Sequence, residues 1–325
     1  MASNGTTVVL GWDGLDYDLA HRYDLADDFA PHHRRIEPFD NPKLGEPSTY
    51  ELWPSIITGA SPDRHGVRVM DGDGRGGANM ANPFLNVVGS VLHATTSEAT
   101  RVKLGLAFRN RGVSFEQKTP RWYRRRGVTT VFDGRRARPV GIPNYRTRQD
   151  DEMDVISGWG EEMSKYLDIT VTNSERSVIY RPTVPEQRLE EWLVGEANKK
   201  IGIVRVALDG DYDIVFTWLS MLDNVGHTVP AVEDESWQER AYRYAVGMTN
   251  EVDEALGDDG TLIVVSDHGH REAHHTHDAF LGATDPDVLD GVETVTDVRR
   301  GIERVTATRD RSGLDGSPGS LRRDG

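Results

Sequence analysis

Thr261-Leu262-Ile263-Val264-Val265-Ser266-Asp267-His268-Gly269-His270 is the stretch whose reading decides the fold. Four of its first five residues are apolar, and β-branched side chains dominate, which reads as a buried strand. Polarity then switches at Ser266, and an acid and an imidazole stand at the strand's carboxyl end. In an open α/β sheet that is the edge where ligands bind. His270, His274, His275 and His277 follow within a few residues. Carboxylate and imidazole are both good ligands for divalent ions, so this much of both in one loop points to a metal.

The same pattern occurs twice more. Thr6 to Trp12 reads as a buried strand that ends on Asp13-Gly14-Leu15-Asp16. Tyr212 to Leu219 reads as a third strand and runs into Ser220-Met221-Leu222-Asp223-Asn224-Val225-Gly226-His227. Asp223 and His227 are four apart, so one helical turn turns both to the same side. Taken alone, Asp13 is more often a cap for the next helix, and a D-x-x-x-H is common by chance. Three such fragments at the ends of three strands are much more specific. Between them, Pro185 to Leu208 and Ser236 to Leu256 have helical apolar spacing. Strand, helix and strand in this rhythm predict a right-handed parallel α/β sheet, with Ala279-Phe280-Leu281-Gly282 as one more short strand.

The remaining segments carry less. Residues 20–46 read as a polar helix with connecting loops. In Glu46-Pro47-Ser48-Thr49-Tyr50-Glu51-Leu52-Trp53-Pro54-Ser55-Ile56-Ile57-Thr58-Gly59, Ser48 or Thr49 opens a helix that Gly59 stops. A hydroxyl there either caps the helix or serves as a nucleophile beside the first-turn amides. Ser61 to Gly66 reads as a turn, 71–82 as a loop, Leu85 to Leu92 as a helix and Val128 to Phe132 as a strand. Arg121 to Arg138 is rich in arginine and reads as a solvated face balanced by acids, with attraction of an anionic substrate as the other option. Gly141 to Tyr145 reads as a loop after a strand, near the site. From Arg309 there is little to bury, and 309–325 is expected to be a disordered tail.

Composition sets outer limits. The chain has 325 residues, a net charge of −15, six lysines and no cysteine. An acidic surface repels nucleic-acid duplexes and anionic membranes. No apolar run approaches the roughly 20 residues needed to span a bilayer, and Met1 to Thr7 lacks the regions of a signal peptide. A cytoplasmic location is the expectation. Without thiolates, any metal must use histidine, carboxylate or hydroxyl ligands.

Gly11-Trp12-Asp13-Gly14, Thr49 through Thr58-Gly59 with Pro62 and His65-Gly66, Asp223-x-x-x-His227 and Ser266-Asp267-His268-Gly269 together resemble the alkaline phosphatase superfamily. The style is closest to its type I phosphodiesterase/nucleotide pyrophosphatase and phosphoglycerate-mutase-like branches. These motifs span residues 11–282, with the middle third unmatched. The resemblance implies an α/β fold, a mainly parallel sheet sandwiched by helices, with an inserted cap region. Residues 1–308 then form one domain, with 83–184 as the cap or insertion.

The resemblance also implies two divalent ions, zinc or manganese. Asp13, Asp267 and His268 hold one of them, with Thr49 touching it or bridging both. Asp223, His227 and one later histidine hold the other. That last ligand is expected to be His275, with His277 a close second and His270 and His274 solvated or in the outer shell. Thr49 becomes the nucleophile, because in similar sequences that residue lies ten positions before the glycine of Thr-Gly. Two ions about 3.5–4 Å apart can clamp an in-line displacement, and a phospho-threonine intermediate follows. The implied function is a metal-dependent phosphodiesterase or phosphomonoesterase acting on a small anionic phosphate ester. The alternatives are a phosphoglycerate-mutase-like phosphomutase and a non-catalytic metal-binding member. Thr49-Tyr50-Glu51-Leu52 is unlike the maturation motif of sulfatases, and no arginine or asparagine matches a family phosphate clamp.

Overall fold

The computed structural model of the chain describes residues 5–68, 118–155, 163, 165–171, 178–234 and 236–306. The 71–82 loop, the Leu85–Leu92 helix, much of the 83–184 insertion and the 309–325 tail lie outside the described residues.

Strands β1 (Thr7–Trp12), β2 (His32–Ile36), β3 (Asp40–Asn41), β4 (Glu46–Pro47), β5 (Ala137–Val140), β6 (Leu167–Val171), β7 (Val178–Pro182), β8 (Ile214–Leu219), β9 (Thr261–Val265), β10 (Gly269–Arg271), β11 (His274–Thr276) and β12 (Ala279–Ala283) follow in chain order. Six of them form one sheet in the order β2-β12-β9-β1-β8-β5, and β10-β11, β3-β4 and β6-β7 are separate two-stranded pairs. β1 pairs parallel with both β8 and β9, and β5 pairs parallel with β8. β12 runs antiparallel to both its neighbours. The sheet is therefore mainly parallel, with one return strand.

Both faces of β1 are buried, as its unbroken apolar run requires. Val8, Leu10 and Trp12 face a core that includes Leu193 and Ile201 of helix Glu186–Leu208 and Tyr242 and Val252 of helix Trp237–Leu256. Val9 faces the opposite core, with Trp53 and Ile56 of helix Thr49–Thr58 and Ile302 of helix Val298–Val305. The sheet is thus covered by helices on both sides.

Two expectations need correction. Residues 20–46 are not mainly a helix: His32–Ile36 is the edge strand β2, whose exposed charged residues suit an unpaired edge. Val128–Phe132 is not a strand. The Asp133 carboxylate accepts from Thr130 N–H at 2.7 Å and from its hydroxyl at 3.0 Å, which takes that donor from any ladder. The strand lies further on, at Ala137–Val140, where Pro139 is tolerated because β5 is an edge. The arginine-rich segment pairs with acids, as read: Arg124 with Asp133, Arg135 with Glu303, and Arg136 with Asp211.

Helix Thr49–Thr58 is anchored by a buried polar relay. His65 Nδ1 accepts from Val67 N–H at 3.0 Å, so its Nε2 carries the proton and donates to Ser55 Oγ at 3.0 Å. Ser55 in turn donates to Glu51 O. Burial lowers the His65 pKa to about 4, below its value of about 6.5 in an unfolded chain. The unfolded state therefore binds more protons between these values. Stability from this group is complete above about pH 6.5 and is lost as the pH falls to about 4, by roughly 3 kcal/mol. Urea unfolding across that range will show a shallower acid decline in His65→Gln than in the wild type.

Candidate metal centre

The three long parallel strands deliver their polar residues to one edge. Asp13 follows β1, its N–H donating to Leu219 O at the end of β8. It is Asp16 that caps the following helix, accepting from Leu19 N at 3.0 Å, which leaves Asp13 for the site. Gly14 sits at φ +74°, and a Cβ there would lie 2.9 Å from the Asp223 Cα, so only glycine lets the turn after β1 come this close to the helix that carries Asp223. Asp223 and His227 lie on helix Met221–Thr228, with His227 Nε2 3.5 Å from Asp223 Oδ1. Asp267 and His268 follow β9 and are fully buried.

Thr49 is the first residue of its helix, after Ser48. Its Oγ1 lies 3.2 Å from Asp13 Oδ1 and 3.0 Å from His268 Nε2. His268 Nε2 is also 3.2 Å from Asp13 Oδ1 and 3.5 Å from Asp267 Oδ2. His275 Nε2 lies 3.4 Å from Asp223 Oδ1 and 3.2 Å from His227 Nε2. Two groups of ligand atoms, each within 4.8 Å of one another, result: Asp13, Asp223 and His268, and Asp223, His227, His270 and His275. Asp223 belongs to both. Seven of the expected residues, Asp13, Thr49, Asp223, His227, Asp267, His268 and His275, therefore meet in one place.

His277 does not. It lies beyond the end of β11 at Thr276, is half exposed, and its Nε2 pairs with Asp40 at 2.8 Å. His270 is the opposite case: expected to be solvated or peripheral, it is 1% exposed and inside the second group. A β10-β11 hairpin sets His270 directly opposite His275. Its turn residues, Glu272 and Ala273, both have positive φ, 52° and 65°. A tight hairpin of this kind normally uses Asn-Gly, and Glu-Ala conceals it.

The histidines are prepared as ligands. A carbonyl can only accept, so Nδ1 of His227 donates to Val178 O (2.7 Å), that of His268 to Gly269 O (3.0 Å) and that of His275 to Pro47 O (2.8 Å). In the neutral rings Nε2 is then a bare lone pair. Burial, opposed by Asp223, lowers the His227 pKa to about 4, so this ring is neutral at pH 7. Two imidazole nitrogens 3.2 Å apart need a proton or a cation between their lone pairs. Buried Asp223 Oδ1, both Asp267 oxygens and both His270 nitrogens lack hydrogen-bond partners. Burial and then Asp13 push the Asp267 pKa well up. Burial also raises that of Asp223, but His227 and His275 more than reverse it. Buried carboxylates and bare imidazole nitrogens around a shared point suit divalent cations.

Three further residues support the site; the loop that carries Asn144 reads as near it in the sequence, and Trp218 and Lys200 give no such signal. Trp218 Nε1 donates to Asp13 Oδ2 at 2.9 Å and so turns the other oxygen toward Thr49. Buried Lys200 lies over the Trp218 ring and donates to Trp218 O at 2.8 Å; burial lowers its pKa to about 8. Asn144, in the loop after β5, donates to Tyr50 O at 3.0 Å beside Thr49.

The strained turn yields a test. Replacing Glu272-Ala273 by Asn-Gly removes two unfavourable left-handed residues and is expected to raise the unfolding free energy by about 1–2 kcal/mol. The urea midpoint of the variant measures it.

The family model described as type I phosphodiesterase / nucleotide pyrophosphatase matches residues 7–284. A search of the curated proteins finds no match. Among solved structures, murine ectonucleotide pyrophosphatase / phosphodiesterase 5 is 12% identical, with a TM-score of 0.41 over 81% of this chain and 57% of that one. The chain thus spans little more than half the length of that protein. The alkaline phosphatase of the Antarctic bacterium TAB5 is 10% identical, with a TM-score of 0.46 over 95% of this chain and 100% of that one. Phosphonoacetate hydrolase of Sinorhizobium meliloti 1021 is 16% identical, with a TM-score of 0.37 over 82% of this chain and 56% of that one. With 278 residues matched from Thr7 onward, the chain belongs to the type I phosphodiesterase / nucleotide pyrophosphatase family, whose members hydrolyse phosphate ester bonds.

Proposed function

We propose that this protein is a two-metal phosphoesterase that uses Thr49 as its nucleophile and acts on small phosphate esters. The observation that supports this is the position of the Thr49 hydroxyl. It lies within hydrogen-bond distance of Asp13 and His268, at one end of a ligand set that shares Asp223 with a second. Asp13, Asp267 and His268 would hold one ion, zinc or manganese, and Asp223, His227 and His275 the other.

Bound divalent ions would supply Lewis acidity for the phosphoryl oxygens and lower the pKa of the hydroxyl. The residues of the chain do the rest. Thr49 Oγ1 lies 3.2 Å from Asp13 Oδ1 and 3.0 Å from His268 Nε2, so an ion held by these two atoms would also meet the hydroxyl oxygen, and the Asp13 carboxylate, which has further lone pairs, is the acceptor facing the Thr49 proton. Placement at the first turn of a ten-residue helix puts that oxygen in the positive field of the helix amides, which favours charge developing there. The Thr49 oxygen attacks phosphorus, the ester oxygen leaves, and water then cleaves the phospho-threonine. Family membership favours a phosphodiester or nucleotide pyrophosphate as substrate.

Thr49→Ala is expected to lower hydrolysis of bis(p-nitrophenyl) phosphate by on the order of 10³-fold or more, while metal content measured by plasma emission stays at two ions per chain. Full activity in Thr49→Ala would exclude this nucleophile. Absence of hydrolysis in the zinc- and manganese-loaded wild type, across monoester and diester substrates, would exclude the esterase.

A further inference from the structure

His270 has no part in the ligand sets proposed above, yet it is built into the site. Both its ring nitrogens are buried without a hydrogen-bond partner, an arrangement that is unfavourable unless something else meets them. The hairpin register puts it on the same face as His275. Its ring stands edge-on to His227, with centroids 4.3 Å apart, and edge-on to His275 at 5.4 Å.

Helix Met221–Thr228 makes room for it. Gly226 lies between Asp223 and His227, and a Cβ at that position would collide with the His270 ring at Nδ1 and Cγ. Glycine is a poor residue inside a helix, and here its missing side chain is the space the imidazole occupies. One His270 ring nitrogen lies within 4.8 Å of the ligand atoms of Asp223, His227 and His275.

We infer that His270 is a fourth protein ligand of the ion held by Asp223, His227 and His275. The inference rests on the two-metal reading. Three imidazoles and one carboxylate complete a four-coordinate shell, the closed arrangement of structural rather than open catalytic sites. The two ions then differ in kind. An ion held by Asp223, His227, His270 and His275 would have four protein ligands and could meet a phosphoryl oxygen only as a fifth. The position open to substrate is beside Thr49, Asp13 and His268.

Metal binding to the full-length protein tests this without recourse to activity. The protein is stripped with chelator and titrated with zinc against a competing indicator, then with cobalt followed by visible absorption. Wild type is expected to bind two ions, one of them giving the strong absorption of four-coordinate cobalt. His270→Phe, which keeps a ring but no lone pair, is expected to retain one ion at wild-type affinity. Its second ion is expected to bind at least about 100-fold more weakly, since loss of even an outer partner costs 10–100-fold, and its four-coordinate cobalt band should fall. His270→Ala adds no bulk and reads out the same loss should phenylalanine fail to pack. Two ions at wild-type affinity with an unchanged cobalt spectrum in either folded variant overturns the role of His270 and leaves the two-metal site standing. A wild type that takes up fewer than two ions overturns both.

Discussion

Three carboxylates, Asp13, Asp223 and Asp267, are buried within one cluster, and among the described residues none is ion-paired with lysine or arginine. Among the described residues their close positive-capable neighbours are histidines: the Nδ1 protons of His227, His268 and His275 are committed to backbone carbonyls, and His270 is buried without a hydrogen-bond partner. Buried like charges of this density are expensive unless something compensates them. The rest of the structure follows from assembling this cluster and holding it rigid. Nearby Asp16 shows the ordinary alternative: it caps a helix and pairs with Arg271 at 3.0 Å.

The parallel sheet is what makes such an assembly possible. β9, β1 and β8 are adjacent and end on the same edge, so residues more than 200 positions apart arrive within hydrogen-bond distance of one another. Packing on both faces then fixes the ends. Trp12 donates to Thr249 from one core, and the His65–Ser55–Glu51 relay steadies the Thr49 helix on the other side. Trp218 contributes both to the sheet, where it pairs in register with Gly11, and to the site, through its bond to Asp13.

Much of this was legible in the sequence, because the strands that carry the site are long apolar runs broken sharply by Asp or His. The i, i+4 spacing placed Asp223 and His227 together, and β1 and β9 were read to within a residue. Contributions made by geometry rather than pattern were not legible. His270 looked like one more polar loop residue, because Glu272-Ala273 gives no hairpin signal, and without the hairpin nothing sets it opposite His275. Trp218 read as an apolar strand residue, and its indole N–H has a role only once β8 lies beside β1. His32–Ile36 is too charged to look like a strand, and an edge position is what permits it.

The return strand β12 has a consequence of its own. Because it lies antiparallel against β9, the link between them is a short reversal that never leaves the rim of the sheet, and that link contains the β10-β11 hairpin. The ligands after β8 therefore all fall between residues 223 and 275, while Asp13 and Thr49 come from the first fifty residues. The ion held by Asp13, Asp267 and His268 beside Thr49 would cross-link the beginning of the chain to its last third, in a protein with no cysteine to form a disulfide. Closing so large a loop restricts the unfolded chain more than any local contact can, so the chemistry of the site and the mechanical integrity of the whole molecule would share the same fastener.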